Sequence, residues 1–129
     1  MSAWLAEMGA CLVRGEALLV EDNGLIAMDA ELMLLALGCT ACHLAASVAA
    51  ALAILQDRPI ACAMLDIELG GESCAAVASE LHARGIPFIF ASGYRDLAER
   101  IPEFAWVPLV GKPYDMRDVG SAFSLLDQR

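Results

Sequence analysis

Four short, almost purely apolar runs break off at a polar side chain. "ALLVED" (17–22) stops at Glu21 and Asp22, and "IACAMLDI" (60–67) at Asp66. "IPFIFASG" (86–93) stops at Ser92, and "WVPLVGKP" (106–113) at Lys112, the only lysine of the chain. A strand that is apolar on both faces is buried on both, which calls for a parallel sheet covered by helices on either side. The intervening segments carry helix punctuation. Asn23 is an N-cap, Leu25, Met28, Leu32 and Leu35 follow at the spacing of one helix face, and Gly38 stands where a helix ends. Ser47 opens a second helix with Val48, Leu52 and Leu55 inward, closed by Arg58 and Pro59. Ser73 opens a third, carrying Cys74, Val77 and Leu81, and Gly85 stops it. "YRDLAERIP" holds only a short helix, and Asp115 caps a last one with Met116, Val119, Phe123 and Leu126 on one side. With "CTACHLAA" as a further strand, five strands alternate with five helices: an α/β domain.

A length of 129 residues suits one domain, and 59% hydrophobic residues provide ample core. The net charge of -9, from 8 basic against 17 acidic residues, argues against nucleic acid and against an anionic membrane surface. From Leu32 to Leu55 no charged residue occurs, yet Gly38, Thr40, His43 and Ser47 interrupt the run and no basic anchor flanks it, so no membrane span is expected. An odd number of cysteines, five, reads as reduced thiols of a cytoplasmic protein. Residues 1–16 read as a leader loosely packed on a domain of residues 17–129. Trp4, Leu5, Met8 and Leu12 form a stripe, and the first basic residue is Arg14, which does not suit a signal peptide.

"CTACH" (39–43) matches the C-x-x-C-H spacing of haem attachment. As the second strand, however, it places Cys39, Ala41 and His43 on one face and Thr40 and Cys42 on the other. Haem attachment needs both cysteines on one side, and the only other histidine is His82. These five are read as ordinary strand residues.

The chemistry gathers where the strands end. In an open parallel sheet, ligands bind outside the carboxyl ends of the strands, where the winding reverses. If the first and third strands are neighbours, Glu21, Asp22 and Asp66 crowd that crevice and repel unless a cation joins them. Oxygen ligands of this kind suit Mg²⁺. A lysine beside them neutralises charge or binds a phosphoryl group.

The pieces "LLVEDN", "MLDIELGG", "FIFASGY" and "VGKP", in that order, resemble the receiver domains of two-component response regulators. The likeness covers about residues 17 to 128. It is nearest to the branch whose fourth strand reads P-F-x-F-A-[TS]-G-Y. It implies a flavodoxin-like (βα)5 fold with strand order 2-1-3-4-5. It further implies that Asp66 is the phosphoacceptor, that Lys112 and Ser92 hold the phosphoryl group, and that Mg²⁺ is bound by Asp22, Asp66 and the backbone carbonyl of Glu68, with Glu21 acting through water. The phosphoryl donor would be a sensor histidine kinase or a histidine phosphotransfer protein. The output would pass to a downstream protein partner, with a homodimer as a further form. Catalysis would extend only to the chain's own aspartyl phosphorylation and dephosphorylation.

Three features depart from that pattern. Leu109 occupies the place three before the lysine where an aromatic switch residue often stands, Glu68 adds an acid near the acceptor, and the fourth helix is short. With no ring at 109, the switch is expected to run through Ser92 and the loop bearing Tyr94. Two alternatives use the same frame: a pseudo-receiver that binds partners without phosphate, and a small flavodoxin-like redox protein. Against the latter, "VEDNG" puts two acids where a cofactor phosphate would sit.

Overall fold

A computed structural model describes residues 13–93 and 101–127. The elements are β1 (Glu16–Val20), α1 (Gly24–Leu37), β2 (Ala41–Ala45), α2 (Val48–Asp57), β3 (Ile60–Asp66), β4 (Glu68–Leu69), β5 (Glu72–Ser73), α3 (Ala75–Ala83), β6 (Phe88–Ser92), a 3-10 turn (Pro102–Phe104), β7 (Leu109–Gly111) and α4 (Met116–Asp127). Five strands pair in parallel in the order β2-β1-β3-β6-β7. With β6 and β7 as the fourth and fifth strands of the alternation, this is the expected 2-1-3-4-5 flavodoxin-like arrangement.

Side chains alternate through the sheet into two cores. Leu18, Val20, Ala63, Leu65, Phe88 and Phe90 face one way, where α2 and α3 pack with Leu55, Val77 and Leu81. Ala17, Leu19, Cys62, Met64, Ile89 and Ala91 face the other, where α1 and α4 bring Leu34, Leu37, Val119 and Phe123. Burying one of these leucines or phenylalanines stabilises the fold by about 1.5–3 kcal/mol.

Three N-caps act as the sequence suggests. Asn23 Oδ1 accepts from the amides of Leu25 and Ile26, Ser47 Oγ from Ala50, and Asp115 Oδ1 from Asp118. The third helix instead starts at Ala75 with Cys74 in the N-cap position, while Ser73 belongs to β5 and its hydroxyl accepts from the Ala75 amide. Gly38 closes α1 at φ 133°, its amide donating to the carbonyls of Leu34 and Leu35. "ELGGE", expected as a loop, closes into a β4–β5 hairpin, because Gly70 (φ 54°) and Gly71 (φ 94°) supply the two left-handed positions of a tight turn.

Two further expectations need correction. The α1 stripe of Leu25, Met28, Leu32 and Leu35 faces solvent, at 40–78% exposure. The buried face is Ala27, Ala30, Leu34 and Leu37. Both sets share the same spacing, displaced by two residues, so periodicity alone favours neither. The small alanines let the helix approach the sheet. Cys39 also differs: it precedes β2 and packs in the same core as Cys42, so the alternation starts only at Ala41.

Among the described residues, four α-helices occur. The remaining expected helix, with Tyr94, falls largely on residues 94–100, and the leader stripe on residues 1–12; both lie outside the described residues. No described helix is long and apolar enough to cross a membrane.

Candidate functional site

β1 and β3 are hydrogen-bonded neighbours, so their carboxyl ends open side by side. β1 delivers Glu21 and Asp22, and β3 ends on Asp66. Carboxylate oxygens of these three lie within 4.8 Å of one another, with Glu21 and Asp66 buried and Asp22 exposed. Lys112, following β7, extends its Nζ to Asp66 Oδ2 at 2.9 Å and to Glu21 Oε1 at 3.0 Å. Burial pulls the Lys112 ammonium down, but its hydrogen bonds to Asp66 and Glu21 together with their charges outweigh that and hold its pKa above the ordinary value.

The backbone positions these groups. The Glu68 amide donates to Asp66 Oδ1 at 3.0 Å, and the Asn23 amide to Glu21 Oε2 at 3.0 Å, tying each carboxylate to its own loop. Gly70 lies against Asp22: a Cβ there would come within 3.2 Å of Asp22 Oδ2, in a left-handed conformation. The Lys112 amide donates to the Ser92 carbonyl at 2.9 Å, so the ends of β6 and β7 are tied together.

Ser92 is fully buried at the end of β6. Its hydroxyl donates to Glu68 Oε1, and the Gly93 amide donates to Glu68 Oε2 at 3.4 Å. The resemblance implies a role only for the backbone carbonyl of Glu68 and leaves its acid as an extra charge near the acceptor; the contact of its side chain with Ser92, made across 24 residues, has no local signal. Two further groups escaped the sequence reading. Tyr114 borders a cavity of about 290 Å³ with Ile26, Asp29, Met33, Lys112 and Pro113. Burial, reinforced by the charge of Glu21, pushes its phenol up to about 12. At the opposite end of the sheet, Glu16 accepts from His43 at 2.7 Å and from Arg58 through two nitrogens at 3.0 Å each.

Glu21, Asp22, Asp66 and Lys112 are thus brought together, with Ser92 and Glu68 paired on the neighbouring strand end. Three carboxylates on one side of a crevice form a hard oxygen donor set. Its chemistry fits Mg²⁺ rather than a soft metal. The cysteines belong elsewhere: Cys39, Cys42, Cys62 and Cys74 carry free thiols, and burial raises those of Cys42 and Cys74 to about 12 and that of Cys62 to about 11. His82 lies in an aromatic cluster with Phe104 and Trp106, at ring-centroid distances of 6.3 and 5.4 Å.

No protein-family model matches the sequence, and no curated protein does. Solved structures do. The solution structure of SdrG from Sphingomonas melonis Fr1 is 38% identical, with a TM-score of 0.73, over 88% of this chain and 97% of that one. A CheY-like response regulator receiver domain from Methylobacillus flagellatus is 25% identical, with a TM-score of 0.73, over 87% of this chain and 98% of that one. The response regulator PhyR from Brucella abortus is 28% identical, with a TM-score of 0.74. The match covers 95% of this chain but 51% of PhyR, so the chain spans about half of that protein. By fold, by its strand-end residues and by these likenesses, the chain belongs to the receiver domains of response regulators.

Proposed function

We propose that the chain is a phosphoacceptor receiver, taking a phosphoryl group onto Asp66 from a histidine kinase or phosphotransfer protein in the cytoplasm. The observation that carries this reading is Asp66 itself, a carboxylate 2% exposed at a strand end, held by Lys112 and facing two further acids. In the reaction an Asp66 oxygen attacks phosphorus, a P–O bond forms, and the P–N bond to the donor imidazole breaks with its electron pair passing to nitrogen. Lys112 offsets the charge that gathers on the acceptor side. The Asp66 carboxylate is kept in place by the Glu68 amide. Asp22 and Asp66 would hold Mg²⁺ with the Glu68 carbonyl, Glu21 acting through water, and the ion would supply charge neutralisation.

Phosphorylation adds about −1.5 to −2 of charge next to Ser92 and Lys112. Both side chains belong to β6 and β7 ends that are tied by a backbone hydrogen bond, which offers a route to the surface without a ring at Leu109. A pseudo-receiver would have no need of all three acids together with the lysine, and a flavin phosphate would be repelled by Glu21 and Asp22. The test is beryllofluoride added with Mg²⁺, followed by backbone amide shifts. Changes centred on Asp66 and extending through Ser92 into β7 and α4 are expected, and no change at Asp66 would refute the reading. In Ser92→Ala the changes should stay near Asp66.

A further inference from the structure

We propose that the Glu68 carboxylate occupies the phosphoryl site's own donors in the unmodified protein, so that it must withdraw before Asp66 can hold a phosphoryl group. The proposal rests on the phosphoacceptor reading of Asp66. Glu68 Oε1 accepts the Ser92 hydroxyl and Oε2 the Gly93 amide, both at the end of β6. β6 is the strand paired with β3, and its Ala91 stands opposite Asp66. A hydroxyl and an amide on the strand end beside the acceptor are the donors that an anion built on Asp66 would use. A carboxylate, planar and negative with two accepting oxygens, is the side chain nearest to such an anion in its hydrogen-bonding capacity.

The local geometry explains how Glu68 gets there. Its amide is anchored on Asp66 Oδ1, and the hairpin through Gly70 and Gly71 turns the chain back directly after Leu69. One short segment therefore carries both the acceptor and its competitor. A phosphoryl group of about −1.5 to −2 charge and an ionised Glu68 cannot share one hydroxyl and one amide. The clasp and the phosphoryl group exclude each other, and apparent affinity for a phosphoryl mimic is the intrinsic affinity multiplied by the fraction of molecules left unclasped. A clasp closed in about nine molecules of ten weakens binding about tenfold.

Two measurements on the full chain test this. The first is thermal unfolding, without Mg²⁺, of the parent, Glu68→Ala, Ser92→Ala and the double variant. A clasp makes the losses non-additive, the second substitution costing clearly less once the first is made; additive losses overturn the proposal. The second is beryllofluoride affinity at saturating Mg²⁺. Glu68→Ala should bind about tenfold more tightly than the parent, and that advantage should shrink clearly in the Ser92→Ala background, where the clasp loses the hydroxyl and keeps the 3.4 Å contact from the Gly93 amide. An equal advantage in both backgrounds would mean simple charge repulsion, and weaker binding by Glu68→Ala would make Glu68 a helper; either result overturns the clasp. If none of the proteins binds beryllofluoride, the phosphoacceptor reading fails and the competition with it. The unfolding cycle still decides whether Glu68 and Ser92 are paired.

Discussion

Replacing Lys112 with methionine retains most of the apolar stem and deletes one charge. In the parent, the ammonium lies 2.9 Å from Asp66 and 3.0 Å from Glu21, whose side chains are each 2% exposed. Removing one member of a buried ion pair typically costs about 3–5 kcal/mol, because the partner charge is left uncompensated. The Lys112 side chain is 19% exposed, so water and buffer cations recover part of this. The expected loss is about 2–3 kcal/mol, or roughly 10 °C in Tm for a domain of this size. Mg²⁺ should change the comparison. Three carboxylates without their ammonium form a more negative site, so the variant binds the ion more tightly, by about tenfold or more. Saturating Mg²⁺ therefore raises the Tm of the variant more than that of the parent and narrows the gap. The assay is thermal unfolding by circular dichroism, in chelator and across a Mg²⁺ titration. A variant melting within about 2 °C of the parent in chelator, or a gap that Mg²⁺ leaves unchanged, would refute the electrostatic account.

Asp22→Ala should weaken Mg²⁺ binding in isothermal titration while leaving the fold intact, since Asp22 is the exposed member of the acidic set. Coincident titrations would remove it from the ligand set. Leu34→Ala should cost about 2–5 kcal/mol in denaturant unfolding, whereas Leu32→Gln on the exposed face should stay within about 0.5 kcal/mol; similar losses would reverse the assigned helix face. His43 first and Arg58 second lower the pKa of Glu16, which stabilises the fold above the unfolded carboxylate value of about 4.3 and loses that contribution as pH falls through the lower folded value. Glu16→Gln should therefore lose less stability than the parent on acidification below pH ~4.3, and parallel acid limbs would contradict this.

The strands were legible because burial on both faces leaves a direct mark: an apolar run that ends where the sheet ends. That mark also located Glu21, Asp22, Asp66, Ser92 and Lys112, since polar groups at the carboxyl ends of such strands have only the crevice to enter. The inward face of α1 was not legible. Its leucines and methionines surround the helix, and the deciding residues are the alanines at 27 and 30, whose value lies in allowing close approach to the sheet. Nor was Cys39, because the start of β2 depends on pairing with β1 and not on composition. The Glu68 side-chain contact with Ser92 joins β4 to the end of β6 through the tertiary fold, and no local pattern encodes it.

The most direct test of the central claim is phosphotransfer from phosphorylated histidine kinases to the parent and to Asp66→Asn, followed by intact-protein mass. At least one kinase should add a single phosphoryl group to the parent in the presence of Mg²⁺ and none to the variant, whose amide cannot act as the nucleophile. Equal labelling of Asp66→Asn would contradict it.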